Sequence, residues 1–299
     1  MNDVAALKLK WQSKIVLLAV FPAVGADLVL GTARWSADAP MVAVCVLSLS
    51  GVLGLVAWRA RSATASGAWA GAAIAASLMF STVSFPCVPW RTALAPVFTV
   101  LLLTSIATRL GHKRKEQLGT AERRSGRVAA QVAANLGAAA LLAMEMSRLR
   151  LADTGWFPPA DWGLGLLFAP MLAALCEAAA DTVSSELGQV MNSRPRMITT
   201  LRVMEPGTDG AISLGGTLAG MAAAGAVAAV GVAALPGGWL LGAIGWAGGV
   251  FGLFFDSLLG ATFERHGWMN NDAVNFLSTL SAAAFALVLL ALAPRFGLA

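Results

Sequence analysis

Apolar residues gather along the chain into nine long runs, at about 15–31, 41–58, 67–85, 92–110, 127–147, 162–181, 211–234, 238–262 and 273–293, bounded by charges or by Pro and Gly. A helix needs about 20 such residues to cross a hydrocarbon layer of about 30 Å. The pattern therefore predicts an all-α, polytopic integral membrane protein with about nine transmembrane helices. Lys8, Lys10 and Lys14 precede a first run of full spanning length that ends in no convincing small-residue cleavage site, so that helix is expected to be retained. The pairs Gly238/Gly242, Gly245/Gly249 and Gly248/Gly252 have the small-xxx-small spacing that lets helix backbones approach closely, and they predict packing. No internal repeat is visible, which speaks against a transporter assembled from two related halves.

Composition removes the remaining soluble alternatives. Hydrophobic residues make up 58% of the chain and charged residues 12%, against about 25% charged in a soluble domain. A mean hydropathy of +0.72 excludes disorder as well. The scarce cations are unevenly placed. With the N-terminus inside, 16 of the 21 Lys and Arg fall in inner segments, leaving Arg34, Arg91, Arg148, Arg150 and Arg295 outside. This asymmetry predicts a cytoplasmic N-terminus and an outer C-terminus, in the cytoplasmic membrane if the protein is bacterial. The basic loops suit anionic membrane lipids, and nucleic acid is not an expected partner. Tyr is absent and Trp occurs ten times, so an interfacial belt must be built from Trp35, Trp58, Trp90, Trp156, Trp162 and Trp268. Cys45, Cys87 and Cys176 lie apart, without a CxxC spacing and with only two His in the chain, and are read as packing residues.

Acids at membrane depth are costly and usually mark a site. Asp27 and Glu145 are isolated and are expected merely to pair with a neighbour. The other acids cluster. Glu177, Asp181 and Ser185 fall at i, i+4, i+8 on one helical face, with Glu186 about 100° off that stripe. Acid and hydroxyl oxygens without Cys or His suit a hard cation such as Mg²⁺. Next follow Arg194, Arg196, Thr199, Thr200 and Arg202, then the turn Pro206-Gly207-Thr208-Asp209-Gly210 leading to Ser213 and a predicted helix. Such a turn at a helix N-terminus favours phosphate, and the arginines supply charge-assisted bonds. Farther along, Asp256, Gly260 and Glu264 repeat the i, i+4, i+8 spacing, and Asn270, Asn271 and Asn275 exceed what capping by Asp272 requires. These asparagines are expected to bind ligand or to hold the acids. Finally, a basic segment containing Lys113 runs to Arg127, which begins a stripe continued by Gln131 and Asn135 into an apolar helix.

The motifs ADTVSSELG (180–188), RPRMITT (194–200), EPGTDGAISLGGTLAG (205–220), DSLLGATFE (256–264) and NNDAVNFLS (270–278), preceded by GRVAAQVAANLG (126–137), resemble the membrane family that contains plant phytyl-phosphate kinase and animal transmembrane protein 19. The resemblance covers roughly 90–290, which divides the chain into N-terminal transmembrane helices (1–90) and a family-like catalytic transmembrane domain (91–299). Val183, Glu205 and Ala211 depart from the family pattern, which expects an aromatic, a Pro and a Gly there. The resemblance implies CTP-dependent phosphorylation of a prenyl monophosphate to the diphosphate. On that reading Asp181, Glu186 and Asp256 are catalytic and hold one or two Mg²⁺ ions. Arg196, Arg202 and the turn at 207–210 stabilise phosphate charge, joined by Thr199, Thr200, Ser213, Lys113 and Arg127. Glu177, Ser185, Gln131, Asn135, Glu264, Asn270, Asn271 and Asn275 give polar support. A phosphate monoester is largely deprotonated at neutral pH and needs no general base. A cytidylyltransferase acting on a lipid phosphate, or a cation-coupled transporter using the same acids, are the alternatives.

Overall fold

A computed structural model describes residues 10–120, 126–153, 164–191 and 194–293. Lys8, Arg123, Arg124, Trp156, Trp162 and Arg295, to which the sequence assigns topological or anchoring roles, lie outside the described residues. The helices are α1 Lys10–Asp38, α2 Pro40–Arg59, α3 Ala65–Thr82, α4 Leu94–Arg109, α5 His112–Leu118, α6 Ala129–Ala143 and α7 Glu145–Asp153. They continue with α8 Ala169–Val190, α9 Leu214–Ala234, α10 Gly238–Leu259 and α11 Asn271–Leu292. Between α8 and α9 a two-stranded antiparallel ribbon, β1 Arg196–Met197 and β2 Ala211–Ile212, pairs Arg196 with Ile212.

Each of the nine apolar runs coincides with a helix, but not every helix has the length or apolarity of a full crossing. Six helical segments among the described residues meet both conditions, and the pair α4 and α5, bent by 64°, makes a seventh. The expected nine is thus not reached by length and composition. The 15 residues of α6 rise only about 22 Å, and the 18 residues of α3 are diluted by Ala, Gly and Ser.

The molecule is organised around α8, whose apolar stretch is almost wholly buried and which packs against α4, α6, α9, α10 and α11. The glycine spacing on α10 has the predicted effect, since a Cβ at Gly249 would meet Cys176 and one at Gly252 would meet Glu177, both on α8. Gly238, the first of the predicted packing glycines, has open space instead. By contrast α1 and α2 turn large apolar side chains outward, Leu18, Val29, Leu30 and Met41 among them, as lipid-facing helices do. The 1–90 segment shares the core with the rest, because Val16 and Val20 of α1 and Ile74 of α3 pack in one cluster with Ala133, Ala138 and Leu172.

Trp58, Trp90 and Trp268 are exposed, with the Arg59 guanidinium 5.7 Å from the Trp58 ring centroid. The isolated acids behave as expected: Ser77 donates to Asp27 at 2.6 Å, and Arg34 pairs with Glu145 at 2.7 Å. The cysteines do not all stand apart. Cys45 and Cys87 approach to 2.7 Å between sulfurs, a meeting of α2 with the loop after α3 across 42 residues that no local spacing announces.

Candidate functional site

The three acid and turn clusters, separate in sequence, meet at one end of the helical bundle. A polar cavity of about 190 Å³ is lined by Asp181, Ser185 and Gly188 from α8, by the segment from Pro206 to Ser213, by Asp256 from α10 with Gly260 and Glu264 from the turn that follows it, and by Asn271 from α11. Each wall has a local cause. Ser213 caps α9 by accepting the Gly216 N–H at 3.2 Å, which ends the extended segment and turns the helix N-terminus toward the cavity. Gly210 has a positive φ of 74°, and a Cβ there would lie 2.3 Å from the Ala261 nitrogen, so the turn seats directly on the end of α10. The backbone at Gly260–Glu264 widens to a π-helical turn, a form frequent at functional sites.

At the centre of the cavity the Asp181 carboxyl lies within hydrogen-bonding reach of Asp256, where the charges of Arg127 and Glu186 also bear on it. Oδ2 of Asp256 is fully buried and has no hydrogen-bond partner among the described residues. Two facing carboxyls with an orphaned oxygen call for a proton or a cation between them. Asp209, on the exposed side, has its carboxyl raised above the ordinary range by burial, with Arg265 pulling it back. Among the described residues no three His, Cys, Asp or Glu form a group able to hold a metal by themselves.

Several predicted residues sit elsewhere. Glu186 faces away from the cavity and pairs at 2.5 Å with Lys115, which is completely buried and also donates to the Ala107 carbonyl at 2.8 Å. Its 100° offset on α8 keeps it from the stripe of Asp181, so the three-acid grouping of Asp181, Glu186 and Asp256 is not assembled. Lys113, the basic residue singled out, is exposed, and its neighbour Lys115 is the one that enters the protein. Nothing in the sequence sets Lys115 apart from the surrounding basic run. Arg196 uses Nη1 to hold the Leu201 carbonyl at 2.9 Å, and Thr199, Thr200 and Arg202 are exposed on the hairpin rather than in the cavity.

The polar support residues divide into two groups. Ser185 and Glu264 line the cavity, while Glu177 is buried one turn deeper and accepts from Ser278 at 2.7 Å. Asn270 is the cap of α11, accepting from the Ala273 N–H at 2.9 Å and tied to α1 through Ser13. Gln131 likewise closes the start of α6 by accepting from the Val128 N–H. Asn271, Asn275 and Asn135 form a ladder, with Asn271 donating to Asn275 at 3.3 Å and Asn275 to Asn135 at 3.5 Å. Arg127 sits beyond this ladder and donates to the Thr104 hydroxyl at 3.1 Å.

Residues 48–283 match the family described as integral membrane protein DUF92. An uncharacterized membrane protein of Methanocaldococcus jannaschii is 43% identical over 121 residues, 40% of this chain and 50% of that relative. One from Synechocystis sp. is 34% identical over 206 residues, 66% of this chain and 73% of the relative. Protein VTE6, chloroplastic, of Arabidopsis thaliana is 27% identical over 219 residues, 69% of this chain but 60% of the plant protein. No solved structure matches the chain. The family match begins inside α2, ahead of the motifs at 126–278, and takes in every wall of the polar cavity; the chain belongs to the DUF92 family of integral membrane proteins.

Proposed function

We propose that the polar cavity is the phosphotransfer centre of a CTP-dependent kinase that converts a prenyl, phytyl-like monophosphate to its diphosphate at the cytoplasmic membrane face. One observation carries the reading: Asp181, Asp256 and the turn at 206–213 converge on a single polar cavity at the end of an otherwise apolar bundle. Two points support it further, the resemblance of the motifs to the family containing plant phytyl-phosphate kinase and a chloroplast protein among the relatives. The distribution of Lys and Arg supports a cytoplasmic orientation of this end, where a soluble nucleotide is available.

The donor set fits Mg²⁺, which commonly takes one or two carboxylates and completes its shell with water and substrate phosphates. Asp181 and Asp256 would hold it, the orphaned Oδ2 of Asp256 being the free ligand atom. When bound, the ion neutralises phosphate charge and fixes the triphosphate for in-line attack. The chain supplies the rest. The N-terminal end of α9 at Ser213 and the backbone of the turn present positive dipole to phosphate oxygens. Arg196 and Arg202 on the exposed hairpin meet the incoming nucleotide, and Arg127 supplies positive charge from the opposite side. The lipid phosphate attacks as its dianion, so no residue has to remove a proton. Glu186, engaged by Lys115, braces the end of α8.

Purified protein reconstituted with Mg²⁺, prenyl monophosphates and each nucleoside triphosphate tests this directly. Prenyl diphosphate with CDP as the nucleotide product is expected. A CDP-lipid with pyrophosphate would mean attack at the α-phosphate and a cytidylyltransferase. Product formation in none of the combinations would remove the kinase reading.

A further inference from the structure

The polar cavity is only half of what a membrane enzyme of this kind needs, because the lipid tail must lie somewhere that leaves its phosphate within reach of Asp181. A second cavity, of about 70 Å³, stands on the other side of the asparagine ladder. Its walls are almost entirely apolar, with Leu53 and Ala57 of α2, Gly71 of α3, Val97 and Leu101 of α4 and Val132 of α6. Four polar side chains reach its lining, Ser62, Thr104, Arg127 and Asn135, and Ala178 of α8 bounds it on one side. A larger apolar cleft of about 350 Å³ lies against α2 and α3, sharing Gly54 and Ala68 with it as a common wall. The exposed Trp58 and Trp69 flank it on the lipid side.

Arg127 donates to the Thr104 hydroxyl at the edge of the apolar chamber, and its charge acts on Asp181 in the polar one. Asn135 lines the apolar cavity, Asn271 lines the polar one, and Asn275 bonds to both. The ladder is therefore a polar seam joining two chambers of opposite character. An amphiphile with an anionic head matches both sides of the seam.

We infer that the apolar chamber between α2, α3, α4 and α6 is the binding site for the tail of a phosphorylated lipid, with Arg127 and Asn135 holding its phosphate at the seam facing Asp181. The inference rests on the kinase reading for the identity of the lipid, but binding can be measured without turnover. The first branched units of the tail fill the inner chamber, and the remainder leaves between α2 and α3 past Trp58 and Trp69 into the bilayer. Arg127 then serves the lipid phosphate, and the turn at 206–213 serves the nucleotide.

The test uses the full-length protein in nanodiscs without nucleotide and a C20 prenyl monophosphate carrying a photoreactive diazirine on its tail. Crosslinked peptides are expected from α2, α3 or α4, competed by unlabelled prenyl monophosphate and poorly by the corresponding alcohol. Gly71→Leu is expected to weaken binding of the C20 compound about tenfold, since a Cβ there meets only Val132 at 3.8 Å and the added side chain enters the chamber. Gly25→Leu, a position with open space on α1, is the control for bulk in a membrane helix and is expected to bind normally. Arg127→Gln should abolish the preference for phosphate over alcohol, and Arg127→Lys should retain much of it. Crosslinks confined to α8 to α11, or a phosphate preference that survives in Arg127→Gln, would overturn the assignment. Because no nucleotide is present, absence of kinase activity leaves these outcomes intact, and their failure leaves the nucleotide reaction to be judged separately.

Discussion

α1 and α8 are both long apolar helices that carry acid at membrane depth, yet the two place that acid in opposite settings. On α1, Asp27 meets one hydroxyl, from Ser77, on a helix whose other faces are largely open to lipid. On α8, three acids within ten residues each meet a different element: Glu177 meets Ser278 of α11, Asp181 meets Asp256 of α10, and Glu186 meets Lys115 of α5. A buried acid with one neutral partner is a packing problem already solved. A run of acids on the helix at the centre of the bundle ties three separate elements to it, and leaves Asp181 among them lining the cavity.

The sharpest way to break this contrast is at Lys115. Removing it by Lys115→Met leaves Glu186 charged and nearly buried, which should destabilise the protein by about 3–5 kcal/mol. Thermal unfolding in detergent should show the loss, and Lys115→Met combined with Glu186→Gln should recover most of it. If Lys115→Met unfolds like the parent protein, the pair does not brace α8. Next in size is chemistry. Asp181→Asn or Asp256→Asn should each lower diphosphate synthesis by roughly 100-fold while leaving the unfolding transition in place. Full activity in both would remove the metal assignment. Against these, Asp27→Asn on α1 should change activity by less than about twofold, because the amide still accepts from Ser77. A large loss there would erase the distinction between the two helices.

The smallest effect concerns the lipid-facing half of the molecule. Burial, aided by the adjacent Cys45, pushes the Cys87 thiol up to about 12. A raised thiol pKa keeps the neutral form through the physiological range, so the nucleophilic thiolate is scarce below pH 12 and grows as pH rises toward it. Maleimide labelling of Cys87 in the folded protein should accordingly be slow at pH 8 and accelerate with each increment of pH. Rapid labelling at pH 7 would show that the thiol is not held in this state.

Much of the molecule could be read from residue order because hydrophobic runs and helical periodicity are local properties. Every apolar run became a helix, and the stripe of Asp181 and Ser185 reached the cavity together. Local spacing misled where the partner came from afar. Glu177 shares the stripe by periodicity but lies a turn deeper, where Ser278 captures it. Thr199, Thr200 and Arg202 have the composition of a phosphate site, yet the pairing of β1 with β2 folds them into an exposed hairpin. Asn270 has a capping role, whereas Asn271 and Asn275 exceed one, a division that only the position of Asn135 reveals. Lys115 was illegible because burial of one lysine in a basic run depends on a bend in the chain.

The helices that wall the apolar chamber have a further consequence for the bilayer itself. α4 has 16 residues and α6 has 15, lengths of about 24 Å and about 22 Å against hydrocarbon of about 30 Å. Lipid packed against short helices compresses to match them, at a cost of fractions of a kcal/mol per Å. The membrane should therefore dip beside α4, which turns Phe98, Leu102 and Ile106 outward, and a lipid phosphate there has less height to descend before it meets Arg127. Host membranes of greater thickness would raise the energetic cost of that dip and oppose entry, so the bilayer becomes a participant in substrate capture, with thickness as its variable.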